Sequence, residues 1–401
     1  MAEAVIVSTA RSPIGRAFKG SMKDERPDDI TSQIVKASLA KVPQLDPTEI
    51  DDLMLGTGSP AGEQGFNMAR VVAVMSGLEE VPGVTVNRYC SSSLQTIRMA
   101  AHAIKAGEGD AFIAAGTEFV SRYGHGASDP GDAQNPAFDE AKARTAARAE
   151  GGADIWAPPE GLPDIYIAMG QTAENVAQSE GVSREDQDAW GVRSQNRAEE
   201  AINRGFFEHD ITPITLSDGT VLSTDDGPRA GTTIEGVSQL KPVFRPDGTV
   251  TAGNACPLND GAASVIVMSD TKAAELGIKP LARIIASGVT GLSPEIMGLG
   301  PIGAVRQALD RAGMTIDDVD LVEINEAFAA QVLPSAEHLG IDHDKLNVNG
   351  GGIALGHPFG MTGARIMTTL INGLEDADKT IGLETMCVGG GQGMAMLIER
   401  L

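Results

Sequence analysis

Short, nearly continuous apolar runs alternate with stretches of helical spacing along the first third of the chain. Residues 4–8, 52–56, 81–86 and 110–116 read as buried strands, and residues 28–41, 66–75 and 91–106 as helices between them. That βαβαβ order predicts a mainly parallel sheet with helices on both faces. From about residue 121 to 249 the texture changes to stretches rich in Gly, Pro and Asp, with helices at 169–180 and 183–203. The second of these opens on a capping box, Ser183 with Asp186. This segment reads as an insertion. Beyond it the sheet pattern resumes at 263–268, followed by a strand at 282–286 and a helix that opens at Pro301 and stops at Gly313. A strand at 321–324 comes next.

The two ends of the chain echo each other. IDDLM at 50–54 resembles VDLV at 319–322, and VNRYCSSSLQ before one helix resembles VNGGGIALGHPFGMTGAR before another at 362–374. A duplicated α/β unit follows, with a first half at 1–275 that contains the insertion at about 121–249 and a second half at 276–401. The C-terminal ends of such strands are where ligands usually sit.

Composition narrows the function classes. A chain of 401 residues with 42% apolar content is long enough for two core-bearing units. Its formal charge of −24, without a Lys/Arg stripe, argues against nucleic acid and against a basic membrane-facing surface, so an anionic ligand needs a local basic site. No run approaches a membrane span, and the N-terminus enters a strand pattern without a leader. The ending LIERL is no peroxisomal address. Three widely separated cysteines fit a reducing cytoplasm, and with no histidine cluster beside them no metal site is expected.

Cys90 lies where a strand pattern gives way to a helix, so its sulfur is expected to face the open helix N-terminus. Unpaired N–H groups and the helix dipole favour a thiolate there, predicting a lowered pKa. A free cysteine at such a junction is more often a buried small hydrophobe. The balance changes because NEAFA, GHPFG and CVGGGQG bring Asn325, His357 and Cys387 to other strand-end loops. Four motifs occur in order: NRYCSSSLQ (87–95), NEAFA (325–329), GGGIALGHPFGMTGAR (350–365) and CVGGGQG (387–393). With MGQTAENVA and TAGNACPLNDGAA in support, they make the chain resemble the thiolases, acyl-CoA C-acyltransferases, over essentially its whole length.

The resemblance implies an α/β thiolase-like fold: two βαβαβαββ halves stacked as five layers, αβαβα, with a loop domain inserted in the first. It implies reversible thiolytic cleavage of 3-ketoacyl-CoA to acetyl-CoA and a shortened acyl-CoA, a reaction of fatty-acid metabolism and β-oxidation. Cys90 is then the acylated nucleophile. His357 activates it and, with a water held by Asn325, stabilises the enolate oxygen. Cys387 is the acid/base, and the N–H groups of Cys90 and Gly389 form a second oxyanion hole. For coenzyme A, which enters as substrate and not as a resident cofactor, Arg229 matches a contact at the nucleotide end. Met169, Phe328 and Ala255 match residues beside the pantetheine and the thioester. The assembly implied is a homotetramer, a dimer of dimers. His102, His209, His338 and His343 read as helix-face or loop residues, and His125 is a weak candidate for the acyl pocket. Departures from the family pattern are Ser93, Cys256, Gly236 and Ala168, and they bear on substrate range. One alternative is a dedicated acetoacetyl-CoA thiolase working in the biosynthetic direction. A decarboxylating ketoacyl synthase is opposed by Cys387 and NEAFA, and a non-catalytic lipid-binding subunit by the full catalytic set.

Overall fold

The computed structural model describes residues 2–123 and 133–401. His125 lies outside the described residues. Among them, the first half contributes β1 (Ala4–Arg11), β2 (Gly15–Arg16), β3 (Asp52–Gly56), β4 (Gly83–Val86) and β5 (Ala111–Phe119). A short hairpin, β6 (Ile214–Thr215) and β7 (Val221–Leu222), follows, and then β8 (Asn259–Ser269). The second half contributes β9 (Ala282–Gly291), β10 (Leu321–Ile324), β11 (Ile381–Val388) and β12 (Gln392–Arg400). Hydrogen bonding runs in the order β10-β11-β12-β9-β1-β8-β5-β3-β4.

The expectation of a mainly parallel sheet is corrected here. Parallel pairs occur toward the two ends of the path, β3–β4, β3–β5 and β10–β11, whereas β8, β1, β9 and β12 pair antiparallel throughout the middle. The chain dictates this through its connections. Residues 389–391 between β11 and β12 are too few for a crossover, so the two strands must form a hairpin. β8 returns from the insertion against β5, its partner along nine register pairs.

Alternation along the strands sorts their side chains into faces. Leu53 and Leu55 of β3 face the outer helices Pro27–Ala40 and Met68–Met75, and Met54 between them faces inward. In the second half, Val322, Ile324, Leu383, Ala395 and Leu397 face the outer helices Gly300–Ala312 and Ala329–Leu339. The inner faces of both halves converge on two central helices, Ser92–Ala106 and Thr362–Asp376. Five layers result, αβαβα, with a middle core drawn from both halves. Each large aliphatic side chain sealed there contributes about 1.5–3 kcal/mol. Direct sheet contact between the halves is slight, only the pairs Val5–Arg283 and Ile6–Ala282. The central helices meet at their first turns. A Cβ on Gly363 would collide with the backbone of Leu94, so only glycine permits this approach.

Between β5 and β8 the chain leaves the sheet and builds the helices Asp139–Ala149, Met169–Glu180 and Arg184–Asn203. Ser183 caps the last of these by accepting from the N–H of Asp186, as its sequence predicts. No described helix is long and apolar enough to cross a membrane.

Candidate active site

Cys90 sits in the single turn Tyr89–Ser91 that joins β4 to the central helix Ser92–Ala106. The turn is forced: Tyr89 is left-handed, with φ of 44°. Arg88 ties it to its surroundings, with Nε donating to Gln95 Oε1 (2.9 Å) and Nη1 to Gln392 Oε1 (2.8 Å) at the start of β12. Burial, not the helix terminus, dominates the thiol. It pushes the Cys90 pKa up to about 11, against the expected lowering. The N–H groups of Gly389 and of Cys90 itself act on the sulfur in the opposite sense, and the Glu118 carboxyl raises it further. The resting sulfur is a neutral thiol.

His357 is buried in the loop between the short helix Gly352–Leu355 and the central helix Thr362–Asp376. Its protonation follows from its partners. The Thr362 hydroxyl donates its one proton to the carbonyl of Pro358 (2.7 Å), so toward His357 Nδ1 (2.6 Å) it accepts. Nδ1 therefore carries the hydrogen, and Nε2 presents a lone pair that receives the Asn325 Nδ2–H at 3.2 Å. Burial first, and then the Arg365 charge, lower the ring's pKa to about 3, which keeps it neutral. Asn325 follows the end of β10, its N–H donating to the Thr385 carbonyl (3.0 Å). Its Oδ1 is a buried acceptor with no partner among the described residues.

Cys387 is the penultimate residue of β11 and fully buried, and its thiol pKa is raised by burial and by the neighbouring Cys90 and Cys256 sulfurs. It packs in one apolar cluster with Phe328, against which Met169, Ala255 and Cys256 rest. A backbone bridge between Ala255 and Phe328, with Cys256 N–H donating to the Ala327 carbonyl (3.0 Å), joins the insertion's return segment to the NEAFA loop. The structure thus brings Cys90, Cys387, His357, Asn325, Gly389, Met169, Ala255 and Phe328 to one region. Arg229 is not part of that apolar cluster. It is exposed, its N–H donates to Gln195 Oε1 (2.8 Å), and partial burial with the nearby Arg16 holds its pKa below the ordinary value.

Several groups in this region escaped the sequence reading. Thr362, which fixes the imidazole, lies inside a motif quoted for its histidine. Ser93 accepts the N–H of Ala364 (2.9 Å) and so joins the first turns of the two central helices, a structural use for that departure. Glu326 is a buried knot that accepts from Trp190, Ser194, Asn347 and the Ile353 N–H, which ties the NEAFA loop to the insertion helix Arg184–Asn203. Glu118 accepts from the N–H groups of Gly58 (2.7 Å) and Gly360 (2.9 Å), binding the GHPFG loop to β5. His102 and His209 are exposed, and His338 pairs with Glu180, consistent with surface roles.

Residues 4–271 match the family described as "Thiolase, N-terminal domain", and residues 278–400 match "Thiolase, C-terminal domain". The chain is 43% identical to a 3-ketoacyl-CoA thiolase of Bacillus subtilis, with 100% of each chain covered. It is 42% identical to a beta-ketoadipyl-CoA thiolase of Acinetobacter baylyi, again with 100% of each covered. Among solved structures, the acetyl-CoA acetyltransferase of Bacillus anthracis superposes with a TM-score of 0.86 at 38% identity, covering 100% of this chain and 99% of that one. Matched from end to end by both halves of the family, the chain belongs to the thiolases, a family of acyltransferases.

Proposed function

We propose that this thiolase cleaves 3-ketoacyl-CoA with free coenzyme A through an acyl-Cys90 intermediate. The observation that carries the reading is that the N–H groups of Gly389 and Cys90 and a second buried thiol, Cys387, act on the Cys90 sulfur, while a neutral imidazole is paired with Asn325 in the same region. Cys90 Sγ attacks the C3 carbonyl while its proton passes to Nε2 of His357. The C2–C3 bond then breaks, and its electron pair enters the enolate of acetyl-CoA. The enolate oxygen takes the new Nε2–H of His357 and a water held by Asn325, whose unpartnered Oδ1 suits that task. The Cys387 S–H protonates C2 and releases acetyl-CoA. The Cys387 thiolate next takes the proton of the incoming CoA thiol, which attacks the thioester. The N–H groups of Cys90 and Gly389 receive the tetrahedral oxyanion, and Cys90 departs, recovering its proton from His357. Run in reverse, the same groups perform a Claisen condensation.

Met169, Ala255 and Phe328 are the pantetheine contacts in this reading, and Arg229 with Arg16 supplies the local positive charge for the nucleotide end. Ala168 caps the helix Met169–Glu180 at the acyl end. Its small side chain leaves room for chains longer than acetoacetyl. Each added methylene buried there contributes about 0.8 kcal/mol, roughly fourfold in affinity. Across a series of 3-ketoacyl-CoA substrates, kcat/KM is expected to rise beyond acetoacetyl-CoA. A steep fall at the first extension would instead mark the dedicated acetoacetyl-CoA enzyme.

A cytoplasmic homotetramer is the assembly proposed. β4 ends the hydrogen-bonded path with its residues only half-buried, an edge suited to pairing with a second copy. Sedimentation showing a monomer at all concentrations would overturn this.

A further inference from the structure

Beneath the histidine, three ionisable side chains are sealed from solvent without adequate partners. Glu323 of β10 and Glu384 of β11 are direct register neighbours on parallel strands. Both point inward: their strand neighbours Leu321 and Met386, two positions away, lie in the middle core, whereas Val322 and Leu383 face the outer helices. Arg365 lies one turn into the central helix Thr362–Asp376 that packs on that face. Arg365 and Glu384 have no exposed surface and Glu323 has 4%. No guanidinium nitrogen of Arg365 and neither carboxyl oxygen of Glu384 finds a hydrogen-bond partner among the described residues.

Two adjacent buried carboxylates facing a single guanidinium cannot both ionise without leaving one negative charge uncompensated. The surrounding charges do not alter this balance. Arg11 is bonded to Asp210 (2.7 Å) and Asp225 (2.7 Å), and Glu326 is held by its own four donors. Arg193, the remaining cation near Glu323, donates to the carbonyls of His343 and Leu346. We infer that Glu323 and Glu384 share one proton and form with Arg365 a charge-neutral triad that holds His357 in place. Burial raises both carboxyl groups, Glu323 to about 8 and Glu384 well above its ordinary value, so at least one proton is retained at neutral pH.

The triad reaches the imidazole from both sides. Glu323 precedes Asn325, which donates to Nε2, by two residues. Arg365 follows Thr362, which accepts from Nδ1, by three, and Glu384 adjoins Thr385, whose carbonyl holds the Asn325 N–H. Arg365 also opposes protonation of the ring by its charge. These are positioning residues. The role of His357 as base rests on the mechanism proposed above, but the shared proton does not.

Infrared spectroscopy of the whole enzyme tests the proton directly. Wild type is expected to show a protonated-carboxyl band that persists across the neutral range. Either E323Q or E384Q should abolish that band, because the remaining carboxylate then balances Arg365. R365M should strengthen it, because both carboxyls become protonated, and should shift the ¹⁵N titration of His357 upward. Single Gln variants should acylate Cys90 within about tenfold of wild type, and the double variant, which strands Arg365, at least about 100-fold more slowly. No band sensitive to these substitutions in wild type, or a band that survives E384Q and E323Q alike, would overturn the shared proton. If R365M fails to fold, the wild-type and single-variant spectra still decide. A band that behaves as expected beside an unshifted His357 titration in R365M would remove the positioning role alone.

Discussion

Replacing Cys90 with alanine is expected to abolish acyl-enzyme formation outright, whereas Cys387→Ala should retain it and lose the carbon-acid chemistry. The two sulfurs occupy one region but different supports: Cys90 is in a strained turn under two N–H groups, and Cys387 is at the end of β11 against Phe328. The N–H groups of Gly389 and Cys90 act on the first sulfur, and in the proposed mechanism they receive the tetrahedral oxyanion at its acyl carbon. Incubation with acetyl-CoA, digestion and mass spectrometry should find acetyl on Cys90 in both wild type and Cys387→Ala. Exchange of the acetyl-CoA methyl protons with deuterated solvent should fall by roughly 10²–10⁴-fold in Cys387→Ala, the usual scale for losing a positioned acid/base. Acetyl found on Cys387 or Cys256 with Cys90 unmodified would reverse the assignment, and normal exchange in Cys387→Ala would end its role as base.

His357→Ala should lower turnover by at least about 10²-fold near neutral pH, and the deficit should shrink as pH rises. The direction comes from the thiol. With a pKa near 11, Cys90 is ionised to only about one part in 10⁴ at neutral pH. Without the imidazole, solvent must remove the proton, so residual activity should climb about tenfold per pH unit until the thiol titrates. Asn325→Ala should cost about 10²-fold as well, but without that climb, because it removes only an oxyanion support. A pH-independent loss in His357→Ala would show that the ring only shapes the pocket.

The chemistry-bearing loops were legible in the sequence because each is short, ordered and built from residue types with few other uses. Cys90 and Asn325 follow the ends of β4 and β10, as the strand pattern leads one to expect, whereas His357 lies in a loop between two helices and Cys387 within β11 itself. The ionisation of Cys90 was not legible. Helix position can be read from neighbours in sequence, but burial under distant segments cannot, and here burial is the larger effect. Strand direction failed for a related reason. The apolar runs of β8 and β9 look alike whichever way they point, and β12 had no assignment before its hairpin partner was known. Thr362 and Ser93 belong to the same class: ordinary helix-start residues whose partners lie on another segment.

The middle core has a consequence for the newborn chain. Residues of β1, β3, β5 and β8 face inward onto a helix that begins at Thr362, within about the last tenth of the sequence. During synthesis the N-terminal half leaves the ribosome complete in strands, with Ser92–Ala106 as the one central helix already made, and the part of its inner face that Thr362–Asp376 covers stays open. Until translation nears its end, that face is available to chaperones and to other nascent chains. The catalytic centre, which needs Gly363 seated on Leu94, is therefore among the last features of the molecule to exist.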